Sequence, residues 1–365
     1  MDAEMLKKEL AKVELPADAE AGELQKIRDK YFDDIFTERL YGYLSPKSQI
    51  AMSRSAVYGV PVTMEGLAVA SGENLEEVEA FAHEWKDRAF AYEETGKSLW
   101  SVYGLLRGWL LAKCSPEERQ NAHKAAGDFL VETEQQNQEE DLGLSRVDCL
   151  MEARSQYLIA EELELARKVT DRLSGFFTRS GFYDGVRMLN AELLDYEEHP
   201  SPMSWIARTY SAQGDYNSAQ NWYQRSLKAC GDSNPKEISI AWHGLATIDV
   251  DRGEYGEAIR KYQTSLKIAQ EIGNRVGEAA TFYRLGFLAK KQSKAQEGLR
   301  LVALCYLIDA SIGQGDAQNV FKVVSSIASE LKYTKDQLDV MLKEVEASCG
   351  KDQGKGLIEA AFDKV

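Results

Sequence analysis

Gly214-Asp215-Tyr216, followed by Ala219, Tyr223 and Leu227, is matched 39 residues later by Gly253-Glu254-Tyr255, followed by Ala258, Tyr262 and Leu266. Each copy has an apolar helix before its glycine, marked by Ile206 and Tyr210 in the first and by Trp242 and Leu245 in the second. Glycine ends that helix because it accepts a left-handed backbone, and the acidic residue starts the next helix. The small alanine lets the two helices approach closely. Such a pair leaves an apolar face uncovered and must stack on a neighbour. Turn, small residue and aromatics all recur in register, which favours a repeat array over chance likeness within a generic helical bundle.

The array extends in both directions. Gly181-Phe182-Tyr183 lies 33 residues before Gly214, with Leu173 and Phe177 ahead of it at helical spacing. Downstream, Tyr283, Leu285-Gly286 and Leu288 mark the first helix of another pair, with Ser293 in the place of the turn glycine. Its second helix is expected from Ala295 to Ile312, ending at Gly313-Gln314-Gly315-Asp316, and an earlier pair, Val147 to Leu173, opens the stack. The pattern resembles the tetratricopeptide repeat, lengthened by the connector Ile268-Ala269-Gln270-Glu271-Ile272-Gly273-Asn274. The resemblance implies a scaffold that binds partners and performs no chemistry.

Composition agrees with a water-soluble helical protein. The 365 residues are enough for two or three domains with cores of their own. There are only seven prolines, and no run of about 18 apolar residues suggests a membrane span. The charged start, Met1 to Lys8, lacks the apolar core of a signal peptide. Cys114, Cys149, Cys230, Cys305 and Cys349 are odd in number and scattered, and so read as small core residues in a reducing compartment, with the cytoplasm as the expected location. The net charge of −15 disfavours nucleic acid and anionic membrane as partners.

Residues 25–131 do not follow the repeat. Ile27, Tyr31, Ile35 and Leu40 space a first helix, and Ser45-Pro46 starts a second that carries Ile50, Met52, Ala56 and Val57. Thr63 caps a short helix, and Asn74 caps another whose Leu75, Val78, Phe81 and Trp85 are expected inside; the two have helix-turn-helix spacing. Aromatic-rich runs at 89–93 and 98–103 flank Glu94-Thr95-Gly96-Lys97 as a hairpin. Leu105-Leu106-Arg107 then opens a helix, and Ser115-Pro116-Glu117-Glu118 caps another through Ala122, Ala126, Phe129 and Leu130. Helices followed by a hairpin suggest a winged helix. Its recognition region would carry Glu65, Glu73, Glu76, Glu77, Glu79, Glu84 and Asp87 against Lys86 and Arg88 alone, the wrong sign for phosphate contacts.

A winged helix, a serine-proline-capped helix and lengthened repeats, in that order, look like the C-terminal half of a STAND ATPase, a multidomain signal-transducing switch. The residues that carry the likeness are Leu44-Ser45-Pro46, Ala56-Val57-Tyr58, Pro61-Val62 and Leu105-Leu106-Arg107, and it spans about residues 25 to 312. Two departures matter. No G-x-x-x-x-G-K-[ST] phosphate loop occurs, since Gly350-Lys351-Asp352-Gln353-Gly354-Lys355-Gly356 has the wrong spacing and reads as a loop between terminal helices. Where many family members carry a nucleotide-contacting Met-His-Asp triplet, this chain has Val102-Tyr103-Gly104. Tyr103 is therefore the candidate nucleotide-sensing position, with packing as the stronger reading.

Catalytic signals are weak. His83, His123, His199 and His243 lack zinc-ligand spacing, and no G-x-S-x-G elbow or cysteine nucleophile signature is found. No enzyme activity, cofactor or metal is expected. The first helices of the repeats should line a concave face. In that register Ser204, Arg208 and Ser211 come from one repeat, His243, Thr247 and Asp251 from the next, and Tyr283, Arg284, Phe287 and Lys290 from a third. Arginine and aromatic side chains suit protein recognition, and Arg208, Arg284 and Lys290 suit a carboxylate.

The expected organisation is mainly α. An N-terminal extension (1–24) precedes a winged-helix-like domain with a small β-hairpin (25–131) and an acidic, polar linker (132–146). An α-solenoid of tetratricopeptide-like repeats (147–312) and C-terminal capping helices (313–365) complete it. The leading function is a non-enzymatic sensor and interaction module, the regulatory arm of a STAND-type switch that binds a peptide, protein or small anionic ligand and packs against an ATPase domain of the same polypeptide. The alternatives are a free-standing adaptor that docks a partner protein and, from another class, a winged-helix transcription regulator.

Overall fold

The computed structural model describes residues 38–94, 97–231, 233–313 and 317–362. The expectations placed on 1–24, on Ile27, Tyr31 and Ile35, and on Gln314-Gly315-Asp316 lie outside the described residues. The fold is mainly helical, with a small two-stranded hairpin and a repeat helical solenoid. It forms two compact units that divide between Val169 and Thr170.

In the first unit, helices α1 (Glu38–Gly42), α2 (Pro46–Ser55), α3 (Met64–Ser71) and α4 (Leu75–Asp87) precede strands β1 (Ala91–Glu93) and β2 (Trp100–Val102). Helices α5 (Gly104–Leu111), α6 (Pro116–Gln135) and α7 (Arg146–Ile159) follow. The caps lie where the sequence places them. Ser45, Thr63, Asn74 and Ser115 each accept a backbone N–H of the next helix's first turn, and Ser115 completes a capping box with Glu118. Each such cap contributes about 1 kcal/mol. The strands pair antiparallel with Ala91 opposite Val102, and a further bridge joins Val62 to Trp100.

Trp85, Phe90, Leu99, Leu110 and Leu130 fill the core of this unit. Leu75, expected inside, points outward, and so does Ile50 of α2. The buried side of α2 includes Ser48 instead, whose hydroxyl accepts from Trp85 Nε1 (2.9 Å) and donates to Glu84 (3.1 Å). Hydropathy ranks isoleucine above serine for burial, but a serine with two hydrogen-bond partners meets no desolvation penalty. Glu134, from the stretch expected to be an acidic, polar linker, is likewise buried and paired with Arg146 at 2.5 Å. His123 is buried as well, with Nδ1 2.6 Å from Gln156 Oε1, so its role is packing.

Helix α8 (Leu163–Arg179) spans the division between the units. The second unit continues with α9 (Tyr183–Tyr196), α10 (Pro200–Ala212), α11 (Tyr216–Cys230), α12 (Pro235–Arg252), α13 (Tyr255–Glu271), α14 (Arg275–Lys291) and α15 (Ala295–Ser311). Three more helices end it, α16 (Ala317–Glu330), α17 (Lys335–Asp352) and α18 (Lys355–Phe362). Helices α10 and α11, α12 and α13, and α14 and α15 pack as successive antiparallel pairs, with α12 also against α10 and α14. The turns obey the sequence pattern: Gly214 and Gly253 have φ of 81° and 83°, and Ser293 adopts the same left-handed region at 67° despite its side chain. Ala219 and Ala258 are fully buried at the helix contacts. At the C-terminal end Leu357, Ile358 and Phe362 of α18 join the core of the last repeats. Burying each of these large side chains contributes about 1.5–3 kcal/mol.

Candidate binding site on the repeat helices

The first helices of three repeats bring most of the expected groove residues to two neighbouring openings. Arg208 of α10, His243 of α12 and Tyr283 and Arg284 of α14 line a cavity of about 430 Å³, with Val320 of α16 and Asp309 of α15. Arg284 also lines a second cavity of about 470 Å³, with Thr247, Val250, Phe287, Leu288 and Lys290.

A hydrogen-bonded floor lies beneath them. Thr247 Oγ1 donates to the His243 carbonyl (3.0 Å) and receives the Tyr262 hydroxyl (3.0 Å). The His243 ring packs edge-on against Tyr262 at 5.2 Å, and its Nδ1 lies 3.2 Å from Thr281 Oγ1. Burial pushes the pKa of His243 down to about 3, with Arg284 and then Arg208 adding repulsion. The imidazole is therefore neutral at physiological pH.

Above this floor the two guanidiniums are exposed. Arg208 stacks on Trp205 at 4.8 Å and, with Arg284, acts on the buried Tyr223 hydroxyl, whose pKa burial raises while the two arginines oppose that rise. Among the described residues no carboxylate stands within ion-pair range of Arg208 or Arg284. Other cations nearby are engaged: Lys290 pairs with Glu330 (2.7 Å), and Lys291 lies over the Tyr255 ring (5.3 Å). Asp309 is buried and takes the thiol of Cys305 at 3.6 Å. The arrangement can receive an anion.

Several expected residues lie elsewhere. Ser204 is buried against Ser226 (3.0 Å between hydroxyls), where it fastens α10 to α11 and does not face the groove. Ser211 is half-buried and lines neither cavity. Thr247 belongs to the floor and has little polar capacity to spare. Tyr103 lies in the first unit, exposed at the start of α5, with its ring tilted against that of Tyr92 at 4.9 Å. The glycine-rich segment near the C-terminus is less of a loop than its composition suggests. α17 runs to Asp352, whose carboxylate accepts from Gly354 N and Gly356 N and so starts α18.

Trp205 and Tyr223 are the residues that sequence reasoning missed. Trp205 stands three residues before Arg208, one helical turn away, and that spacing was the available signal. No equivalent signal marks Tyr223, which the repeat register assigns to packing.

A tetratricopeptide-repeat family model matches residues 206–237, from α10 to the start of α12. No curated protein matches the chain. Solved structures similar to it include the Signal Transduction ATPase with Numerous Domains (STAND) protein with a tetratricopeptide repeat sensor from Pyrococcus horikoshii, at 13% identity and a TM-score of 0.36. That likeness covers 89% of this chain and 60% of the other, so the chain spans about three fifths of its neighbour's length. The apo form of the quorum sensor NprR from B. thuringiensis is similar at 14% identity and a TM-score of 0.37, over 93% of this chain and 87% of that one. Both likenesses are too distant to carry a functional argument. Among the described residues no helix is long and apolar enough to cross a membrane, and no cluster of three or more His, Cys, Asp or Glu is placed to hold a metal ion.

Proposed function

We propose that the second unit is a non-enzymatic capture module whose repeat helices bind a protein or peptide through its anionic groups, with Arg208 and Arg284 as the receiving centre. The observation that carries this reading is the pair of exposed guanidiniums, without carboxylate partners, that both act on a neutral His243. Arginine holds a carboxylate through paired, charge-assisted hydrogen bonds, and Tyr283 and Phe287, whose tilted rings touch at 4.8 Å, flank Arg284 as apolar contact surface. In a chain with a net charge of −15, such a positive island selects where an acidic ligand lands.

The setting we favour is the regulatory arm of a STAND-type switch, with the first unit as its winged-helix-like part. Arg107 supports this, since it donates to the carbonyls of Ala56 (3.0 Å) and Val57 (2.8 Å) and so joins two of the sequence segments that carry the resemblance. Ligand capture would move such a switch only through unequal affinity for its two states. A free-standing adaptor would use the same surface.

The test is fluorescence anisotropy with a labelled pool of random peptides containing Asp and Glu, set against the same pool with every carboxyl group amidated. Binding of the acidic pool that weakens with added salt and is lost in Arg208→Gln/Arg284→Gln is the expected result. Equal binding of the two pools, or a double variant that binds like the wild type, sinks the assignment.

A further inference from the structure

The two cavities that share Arg284 differ in chemistry. The first holds the unpaired guanidiniums of Arg208 and Arg284 over the neutral His243, opposed by Asp309 alone among the acidic groups of its lining. The second has an apolar wall of Val250, Phe287 and Leu288, with Asp251 beside it; its Lys290 is already paired with Glu330 and its Lys291 lies over Tyr255. One cavity is thus suited to an anion and the other to an apolar group. Each has the volume of a small-ligand or side-chain pocket, and Arg284 lines both. Their linings are also connected, because His243 of the first is hydrogen-bonded through its carbonyl to Thr247 of the second and packs edge-on against Tyr262 of the second.

We propose that the occupant is a peptide segment with an acidic residue next to, or a few residues from, a large apolar residue. The carboxylate enters the Arg208–Arg284 cavity and the apolar side chain enters the Phe287 cavity, so that Arg284 is the wall read by both. This rests on the binding reading above and deepens it. Two openings that share Arg284 suit the nearby side chains of a peptide, whereas a free fatty acid would need one continuous apolar channel. Arg284 supplies charge to the first subsite and the aliphatic part of its side chain to the second.

The experiment uses the full chain and fluorescein-labelled, C-terminally amidated octapeptides of Gly and Ser, each with one Asp and one Leu separated by zero to three residues in both orders. One spacing should bind best. In that peptide Asp→Asn and Leu→Ser should each weaken binding about tenfold, the size of effect that a single hot-spot contact gives. The variants should separate the subsites: Phe287→Ser removes the penalty of Leu→Ser and keeps that of Asp→Asn, Arg208→Gln does the reverse, and Arg284→Gln reduces both. Phe287 is exposed and Arg208 lies on the surface, so neither change threatens the fold, and the peptide substitutions test the idea without altering the protein. If Asp→Asn weakens binding while Leu→Ser has no effect at any spacing, the anion centre stands and the two-cavity occupant is wrong. If no octapeptide binds and the acidic pool does not bind either, the underlying binding reading fails with it.

Discussion

Gly286 of α14 lies against Gly298 of α15, backbone to backbone. A Cβ on Gly298 would stand 2.6 Å from the Gly286 carbonyl oxygen, and a Cβ on Gly286 would stand 2.8 Å from the Gly298 carbonyl oxygen. This contact draws together the two helices of the repeat that carries Arg284, and it fixes how α14 presents the site.

Gly→Ala inside a helix normally adds about 1 kcal/mol of stability through helix propensity. At Gly286 or Gly298 the new methyl would meet backbone that cannot rotate away, and overpacking of this kind costs about 1–3 kcal/mol or more. G286A and G298A should therefore lower stability in urea unfolding. G108A, at an exposed position of α5 with nothing within 4 Å of the added Cβ, should raise it by up to about 1 kcal/mol. Equal effects at the buried and open positions would show that the close approach is not what the glycines serve.

Glu237, buried in the first turn of α12, has its pKa raised to about 7 by burial first and then by Asp171, with Lys236 opposing. Asp171 is also raised, by burial, against hydrogen bonds from Ser201 (2.8 Å) and Trp205 Nε1 (2.7 Å). A carboxyl whose folded pKa lies above its unfolded value near 4.5 stabilises fully below that value and loses the contribution as pH rises through about 7. E237Q should therefore be more stable than the wild type at pH 8, by an amount on the order of 2 kcal/mol, and the gap should close as pH falls toward 5. Thermal denaturation across that range checks it; a gap that does not vary with pH would remove the titration from the explanation.

His243 gives a direct report on the receiving centre. Arg284 and Arg208 both hold its pKa down, after burial. R284Q should raise that pKa, R208Q should raise it less, and both should leave it below the ordinary histidine value because burial persists. An NMR titration of the ring protons measures this, and an anion bound between the guanidiniums should move it in the same direction. No change in R284Q would mean that the guanidinium does not face the ring.

Arg107→Ala deletes two charge-assisted hydrogen bonds to the carbonyls of Ala56 and Val57. The loss should cost about 1.5–3 kcal/mol in the first unit, and lysine should recover only part of it because it lacks the fork that reaches both oxygens. Full rescue by R107K would show that charge alone suffices.

The sequence by itself determined the elements and their succession. Gly214, Gly253 and the serine, threonine and asparagine caps act within one turn of chain, so their backbone preferences are readable from a few neighbouring residues. It also determined most of the residues on the site helices, because the repeat register carries Arg208, His243, Tyr283, Arg284 and Phe287 to the same side of successive first helices. Only the tertiary structure decided what those residues are free to do. Ser204 and Ser226 are 22 residues apart, Lys290 and Glu330 are 40 apart, and no local pattern announces that one pair is buried and the other closed by charge. The same holds for Ser48 inside and Ile50 outside, and for Glu134 paired with Arg146. Burial of a polar group is settled by a partner that the chain brings from a distance, whereas a turn or a cap is settled by residues already next to it in sequence.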